Sequence, residues 1–328
     1  MSEKLSSQWR PRPRAVRAGL DRSHHGETSE ALYLNSGFVY DTAEQAEARF
    51  LGDDEGFIYS RYGNPTVSMF EERLAQLDGS EACFATASGM SAVFAALLCQ
   101  LQSGDHVVSS RALFGSCHYI LTQLLPRYGI KVDLVDGTDL EQWSATIRAS
   151  TTCVFFETPS NPTLDLIDIQ AVADIAHAVS ASVVVDNVFS TPILQRPVDF
   201  GADVVVYSGT KHMDGQGRIL GGAVLGDREF IDDTLMHFLR HTGPAMSAFN
   251  AWILLKGLET MELRLDEQCA NAKALAGVLQ AHDAVKQVIY PGLNDHPQRD
   301  LAVKQMTSGG SIITFDLPSK EEAFAFIN

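Results

Sequence analysis

Two runs decide the fold: Val183-Val184-Val185-Asp186-Asn187, and then Val204-Val205-Val206-Tyr207-Ser208-Gly209-Thr210-Lys211-His212. Each is an apolar stretch with no polar alternation, and each ends abruptly in residues able to bind or react. A strand that is apolar on both faces must be covered on both faces, as in a parallel sheet sandwiched between helices. Five further runs fit the same pattern: Ala82–Thr86, His106–Ser109, Lys131–Val135, Cys153–Phe156 and Gly222–Leu225. Helical spacing separates several of them, over Ser91–Leu101, Cys117–Tyr128 and Ile169–Val179. The alternation predicts an α/β domain with a mostly parallel sheet flanked by helices.

Upstream, the Asn64-Pro65 step favours extended backbone and then a helix start. The spacing of Val67, Phe70, Leu74 and Leu77 predicts an amphipathic helix ending at Asp78-Gly79. Residues 1–62 read as an irregular arm. Its basic set (Lys4, Arg10, Arg12, Arg14, Arg17, Arg22) meets only Glu3 and Asp21, and the interleaved Pro11 and Pro13 argue against a regular helix. No apolar segment follows, so a solvated arm is favoured over a transit peptide and a secretory signal is disfavoured. Beyond Pro244, a long helical stretch from Ala248 to about Gln280 leads into Val285–Tyr290 and Gly310–Leu317, the pattern of a smaller α+β domain. The last residues, Phe324 to Asn328, stop within a helical pattern, which suggests that this second domain is incomplete. The expected division is therefore 1–62 for the arm, 63–247 for a cofactor-binding α/β domain and 248–328 for a partial C-terminal domain.

Composition narrows the function. The 328 residues hold 25 Lys+Arg against 41 Asp+Glu, a formal net charge of −16, which disfavours nucleic acid as a partner. No apolar run approaches the roughly 18 residues of a membrane span. Five widely spaced cysteines without a C-x-x-C pair suggest reduced thiols rather than a disulfide frame or zinc site, and the cytoplasm as the compartment.

In open α/β sheets ligands bind beyond the carboxyl ends of the strands. Thr86-Ala87-Ser88-Gly89-Met90-Ser91 is a small-residue turn opening a helix, a place where free N–H groups can hold a phosphate or where Ser88 merely caps. Glu157-Thr158-Pro159-Ser160-Asn161-Pro162-Thr163 is a stiff connection that could aim Asn161, or simply end a strand. Asp186 ends a buried strand, where a carboxylate needs a cation, a protonated ring nitrogen or a capping role. Lys211 lies between hydroxyl residues and a His; a lysine enclosed there would have a lowered pKa and could form a Schiff base. Gly215, Gly217, Gly221 and Gly222 nearby suggest tight backbone approach rather than an exposed loop. Phosphate, ring nitrogen and aldehyde together describe pyridoxal phosphate. A nucleotide- or NAD-binding protein is the rival reading; no G-x-G-x-x-G follows the first strand.

The chain resembles the Cys/Met-metabolism group of fold-type I pyridoxal-phosphate enzymes. The matching elements are Tyr59-Ser60-Arg61-Tyr62-Gly63-Asn64-Pro65-Thr66, Ser88-Gly89-Met90, Ser160-Asn161-Pro162, Val185-Asp186-Asn187 with Phe189, Thr191 and Pro192, and Ser208 with Thr210-Lys211. Leu113-Phe114-Gly115-Ser116-Cys117, Lys211 through Arg218 and His241-Thr242-Gly243-Pro244 resemble its O-succinylhomoserine sulfhydrylase subgroup. The resemblance implies that Lys211 is the Schiff-base lysine, that Asp186 pairs with the pyridinium nitrogen and that Asn161 donates to the ring oxygen. It implies that Ser88, Gly89, Met90, Ser208 and Thr210 hold the phosphate, and that Tyr59 and Arg61 reach the cofactor of a neighbouring subunit, making a homodimer the minimal unit and a homotetramer the expected assembly. Where many relatives stack a Tyr on the cofactor ring, this chain has Phe114, which stacks but moves no proton. That task falls to Lys211, Tyr59 or water. The family's carboxylate-binding arginine is expected beyond Asn328. The implied reaction is γ-replacement on O-succinylhomoserine with sulfide, giving homocysteine and succinate. Cystathionine γ-synthase, O-acetylhomoserine sulfhydrylase, a γ-lyase and a truncated non-catalytic relative are the alternatives.

Overall fold

The computed structural model describes residues 10–328; the part of the basic arm that includes Lys4 lies outside the described residues. The strands β1 (Ala82–Thr86), β2 (His106–Ser110), β3 (Lys131–Val135), β4 (Thr151–Glu157), β5 (Ser182–Asp186), β6 (Val204–Ser208) and β7 (Gly222–Gly226) form a seven-stranded sheet of order β1-β7-β6-β5-β4-β2-β3. β2 pairs parallel with β3 and β4, and β4 with β5; β1 runs antiparallel to β7. Continuous apolar character translates into burial on both faces: Val107, Val108, Val154, Phe155, Phe156, Val183, Val184 and Val185 are wholly buried. Only the edge strand β3 alternates, turning Lys131 and Asp133 outward, as unpaired edges require.

The chain forms two compact units. The first comprises Met1–Gln100 and Val206–Met261, the second Leu101–Val205 and Glu262–Asn328. In the first, Asn64 has extended backbone and caps the helix Pro65–Asp78 by accepting from Thr66 N–H (3.0 Å), with Pro65 at its first position and Gly79 ending it at φ 92°. This helix rests on β1 and on the helix Ala248–Leu258. In the second unit the helix Ile169–His177, capped by Asp168, covers β5. A short pair of antiparallel strands, β8 (Gln287–Ile289) and β9 (Thr314–Asp316), follows the helix Met261–Gln280. No described helix is long and apolar enough to cross a membrane. None of the cysteines is bridged; Cys117, Cys153 and Cys269 are buried.

Four expectations are corrected. Pro11–Arg17 is helical despite its two prolines, because both fall in the first turn, where the missing N–H has no helical partner to lose. A second helix, Ala43–Leu51, also lies in the supposedly irregular arm, capped by Thr42 and ended by Gly52 at φ 85°. The stretch 117–128 is not one regular helix: an α-turn Gly115–Tyr119 passes into a π-helical segment Ile120–Leu124 and a 3-10 turn Leu125–Tyr128, where Pro126 cannot supply the i→i−4 bond. The long stretch from Ala248 likewise divides, at Glu259-Thr260, into Ala248–Leu258 and Met261–Gln280.

Candidate active site

Each unit carries part of the predicted constellation. In the first, Ser88 caps the helix Gly89–Leu98, accepting from Ser91 N–H (3.1 Å), so the turn after β1 ends in a helix N-terminus with its first N–H groups facing outward. The glycines here are required by space. A Cβ on Gly89 would lie 2.6 Å from the Ser208 Cβ, and one on Gly222 would lie 2.2 Å from the Ser88 carbonyl oxygen. Ser88, Gly89 and Ser208 are thereby drawn together, and Met90 follows in the first helical turn. Thr210 joins them through Gly221: its hydroxyl lies 3.4 Å from the Gly221 carbonyl and 3.3 Å from the Gly221 N–H. N–H groups and hydroxyls in this density make an oxyanion cradle, and no bulkier backbone would fit.

Lys211 follows in a turn closed by Asp214 N–H to Gly209 (3.0 Å) and Gly215 N–H to Lys211 (2.7 Å). The sequence predicts an enclosed lysine; in the chain by itself Lys211 is exposed, because the inward side of the turn is taken by Met213 and Asp214, both buried. Asp214 resists burial's upward push and has a lowered pKa, since the backbone and guanidinium of Arg218 both bond it (2.7 and 2.8 Å). The turn is seated on the helix Ala248–Leu258. A Cβ on Gly257 would be 2.1 Å from the Met213 carbonyl oxygen, and Gly209 and Gly221 both abut Leu254. Gly215 and Gly217 are glycines for another reason, a φ of 68° each.

Tyr59 and Arg61 sit where the arm rejoins this unit. Tyr59 bridges to Gly37 and is 42% exposed. Arg61 donates to the Arg240 carbonyl and lies over the Tyr62 ring (4.7 Å), which Arg240 also faces (5.1 Å). A second feature here was not foreseen. Glu30, in the arm, is buried between Arg73 (2.5 Å) and Lys256, and although burial pushes its pKa up, the two cations hold it at about 2.

In the second unit, β4 and β5 end in register with Glu157 opposite Asp186. Both side chains are buried, at 4% and 6% exposure. The Asp186 carboxylate accepts from Val188 N–H (3.2 Å) and forms no ion pair among the described residues. Burial raises its pKa to about 7, and burial together with the Asp186 charge raises that of Glu157 to about 8. Glu157 accepts from the Phe114 N–H (2.9 Å), and the Asn161 backbone also bonds it. It therefore gathers Phe114, Asn161 and Asp186, three residues singled out from sequence, while its own role was missed. The signal was present: Glu157, like Asp186, ends an apolar strand. Phe114 is 44% exposed, and the peptides before Pro159 and Pro162 are cis. After Asp186, the Asn187 amide donates to the Gln195 main-chain carbonyl (2.9 Å), and the Gln195 amide donates back to Asn187 Oδ1 (2.9 Å) and to the Thr158 carbonyl (2.9 Å), which locks the loop.

These residues fit the cofactor the sequence suggests. A buried carboxylate without a cation suits a protonated ring nitrogen, an exposed aromatic suits a stacked ring, and the hydroxyl-rich helix start suits a phosphate.

Comparison with known proteins points the same way. The profile of the Cys/Met metabolism PLP-dependent enzyme family matches residues 13–328. The O-succinylhomoserine sulfhydrylase of Mycobacterium tuberculosis (strain CDC 1551 / Oshkosh) is 55% identical over 94% of this chain and 76% of its own. An L-methionine gamma-lyase of Porphyromonas gingivalis is 40% identical over 94% of this chain and 78% of its own. A Campylobacter jejuni protein whose crystal structure carries N'-pyridoxyl-lysine-5'-monophosphate superposes with a TM-score of 0.92 at 28% identity, over 97% of this chain and 87% of that one.

Proposed function

The chain belongs to the Cys/Met metabolism PLP-dependent enzymes, and from that premise we propose that it replaces the succinyloxy group of O-succinylhomoserine with sulfide, giving homocysteine and succinate. The observation that carries the choice of substrate is the step from 55% identity with a sulfhydrylase to 40% with a γ-lyase at equal coverage of this chain. Pyridoxal phosphate, when bound, supplies an electron sink conjugated to the substrate's α-carbon.

The chain's own residues divide the remaining work. Lys211 would hold the cofactor through its aldehyde, and its amine is the base placed to move the proton at the substrate Cα. Asp186 holds a proton on the ring nitrogen, a pairing that its buried, cation-free position favours. Asn161 orients the ring oxygen, and Phe114 stacks on the ring. Ser88, Gly89, Met90, Ser208 and Thr210 hold the phosphate. Tyr59 and Arg61 serve the phosphate of a partner subunit, so a homodimer is the smallest complete site, with a homotetramer of cytoplasmic enzyme as the assembly. Tyr59 shares acid–base work with Lys211, since Phe114 has no hydroxyl. Residues 63–247 are assigned to cofactor binding and 248–328 to a second domain.

Borohydride reduction of the loaded protein followed by peptide mapping is expected to label Lys211, and a label on Lys131 or Lys256 would refute the assignment. With sulfide and cysteine both saturating, homocysteine is expected to dominate. Cystathionine as the main product would transfer the chain to the synthase reading, and a keto acid without added nucleophile to the γ-lyase reading.

A further inference from the structure

The carboxylate of Glu157 bonds the backbone of both Phe114 and Asn161 and faces Asp186 across the strand pair. It lies at the end of β4, buried from Cys153 onward, so its main chain is fixed by ladder bonds to β5. Phe114, by contrast, starts a short helix that soon passes into a π-turn; its ring is exposed, and its N–H is held by Glu157, 43 positions away. The connection carrying Asn161 is similarly irregular. A rigid strand end thus holds two irregular segments through one side chain.

We infer that Glu157 is a positioning residue, which sets the Phe114 ring and the Asn161 amide at the cofactor by accepting hydrogen bonds from their main chains. The inference rests on the assignment of Phe114 and Asn161 to the cofactor made above. What matters is the reach and the acceptor oxygen, not the charge. A side chain one methylene shorter cannot span from the end of β4 to Phe114 N–H, whereas an amide of equal length still presents an oxygen there. At metal sites, removing a residue that orients the ligands weakens binding by about 10–100-fold, and a loss of that order is expected here.

The test compares Glu157→Gln with Glu157→Asp in the full chain loaded with pyridoxal phosphate. Cofactor affinity is measured by equilibrium dialysis, ring orientation by induced circular dichroism in the cofactor band, and fold by thermal melting of the cofactor-free protein. Glu157→Gln is expected to keep affinity within about 3-fold and to keep the dichroic band. Glu157→Asp is expected to lose about 10–100-fold in affinity and most of the band, with a far-ultraviolet spectrum like that of the wild type. In a double-mutant cycle, Phe114→Ala should cost much less in the Glu157→Asp background than alone. Wild-type behaviour of Glu157→Asp, or a Gln variant as impaired as the Asp variant, overturns the inference while leaving the reaction assignment intact. A wild-type chain that takes up no cofactor overturns both.

Discussion

Two buried acidic places in this molecule are built in opposite ways. Glu30, in the first unit, lies between the Arg73 guanidinium and the Lys256 ammonium, and its carboxyl is held at about 2. Glu157 and Asp186, in the second unit, face each other at adjacent strand ends with backbone N–H donors but no cation, and burial raises both carboxyls, to about 8 and about 7. A carboxylate already supplied with cations is finished: it ties the arm to the helices Pro65–Asp78 and Ala248–Leu258. A buried carboxyl supplied only with N–H groups either keeps its proton or takes a cationic partner, the role proposed above for a protonated pyridine ring.

The comparison is broken most sharply by removing a cation from the finished cluster. Arg73→Met takes away the 2.5 Å pair with Glu30 and the bond from Nε to the Ala18 carbonyl (2.8 Å). Because a buried charge loses a partner, the expected loss is about 3–5 kcal/mol of stability, read as a lower urea midpoint at unchanged slope. The equivalent change in the second unit should have the reverse character. Asp186→Asn is expected to leave the cofactor-free protein as stable at pH 8 as the wild type, or more so, while lowering affinity for pyridoxal phosphate by about 10–100-fold, the worth of one charge-assisted hydrogen bond. A loss of cofactor-free stability comparable to that of Arg73→Met would erase the distinction.

A third test of the comparison is the dependence on pH. A carboxyl raised by folding binds its proton more tightly in the folded state, so its stabilising contribution is whole below about pH 4 and is lost as pH rises through about 7 and 8. For Glu30 the sign is opposite: its contribution is whole above about pH 4.5 and is lost as pH falls towards 2. Melting of the cofactor-free protein should therefore decline from pH 5 to pH 8.5, by no more than about 1.4 kcal/mol per pH unit for each proton. Asp186→Asn should flatten that decline without altering the acid limb.

Much of this was legible in the sequence, and the exceptions share a cause. Continuous apolar runs marked the inner strands of the large sheet because burial on both faces leaves no other pattern. Asn64, Ser88 and Gly79 marked helix ends because their signals are local. The arm helices were missed where a local rule was applied without position: Pro11 and Pro13 break a helix interior but open its first turn. Glu157 escaped for a different reason. Its partner N–H belongs to Phe114, and no periodicity links a strand end to a helix start that far away. The exposure of Lys211 was equally illegible, since it depends on which side of a turn Met213 and Asp214 occupy.

The seat beneath that turn has a consequence for motion. Gly257 against the Met213 carbonyl, with Gly209 and Gly221 against Leu254, leaves no gap into which the lysine loop could swing while the helix Ala248–Leu258 stays in place. Loop and helix must open as one cooperative unit, so amide exchange at Asp214 and Gly215 is coupled to unfolding of that helix rather than to the fast fluctuations usual for a surface turn. The lysine assigned to the cofactor is thus carried on a turn seated against that helix, and only its four-carbon side chain is free to travel.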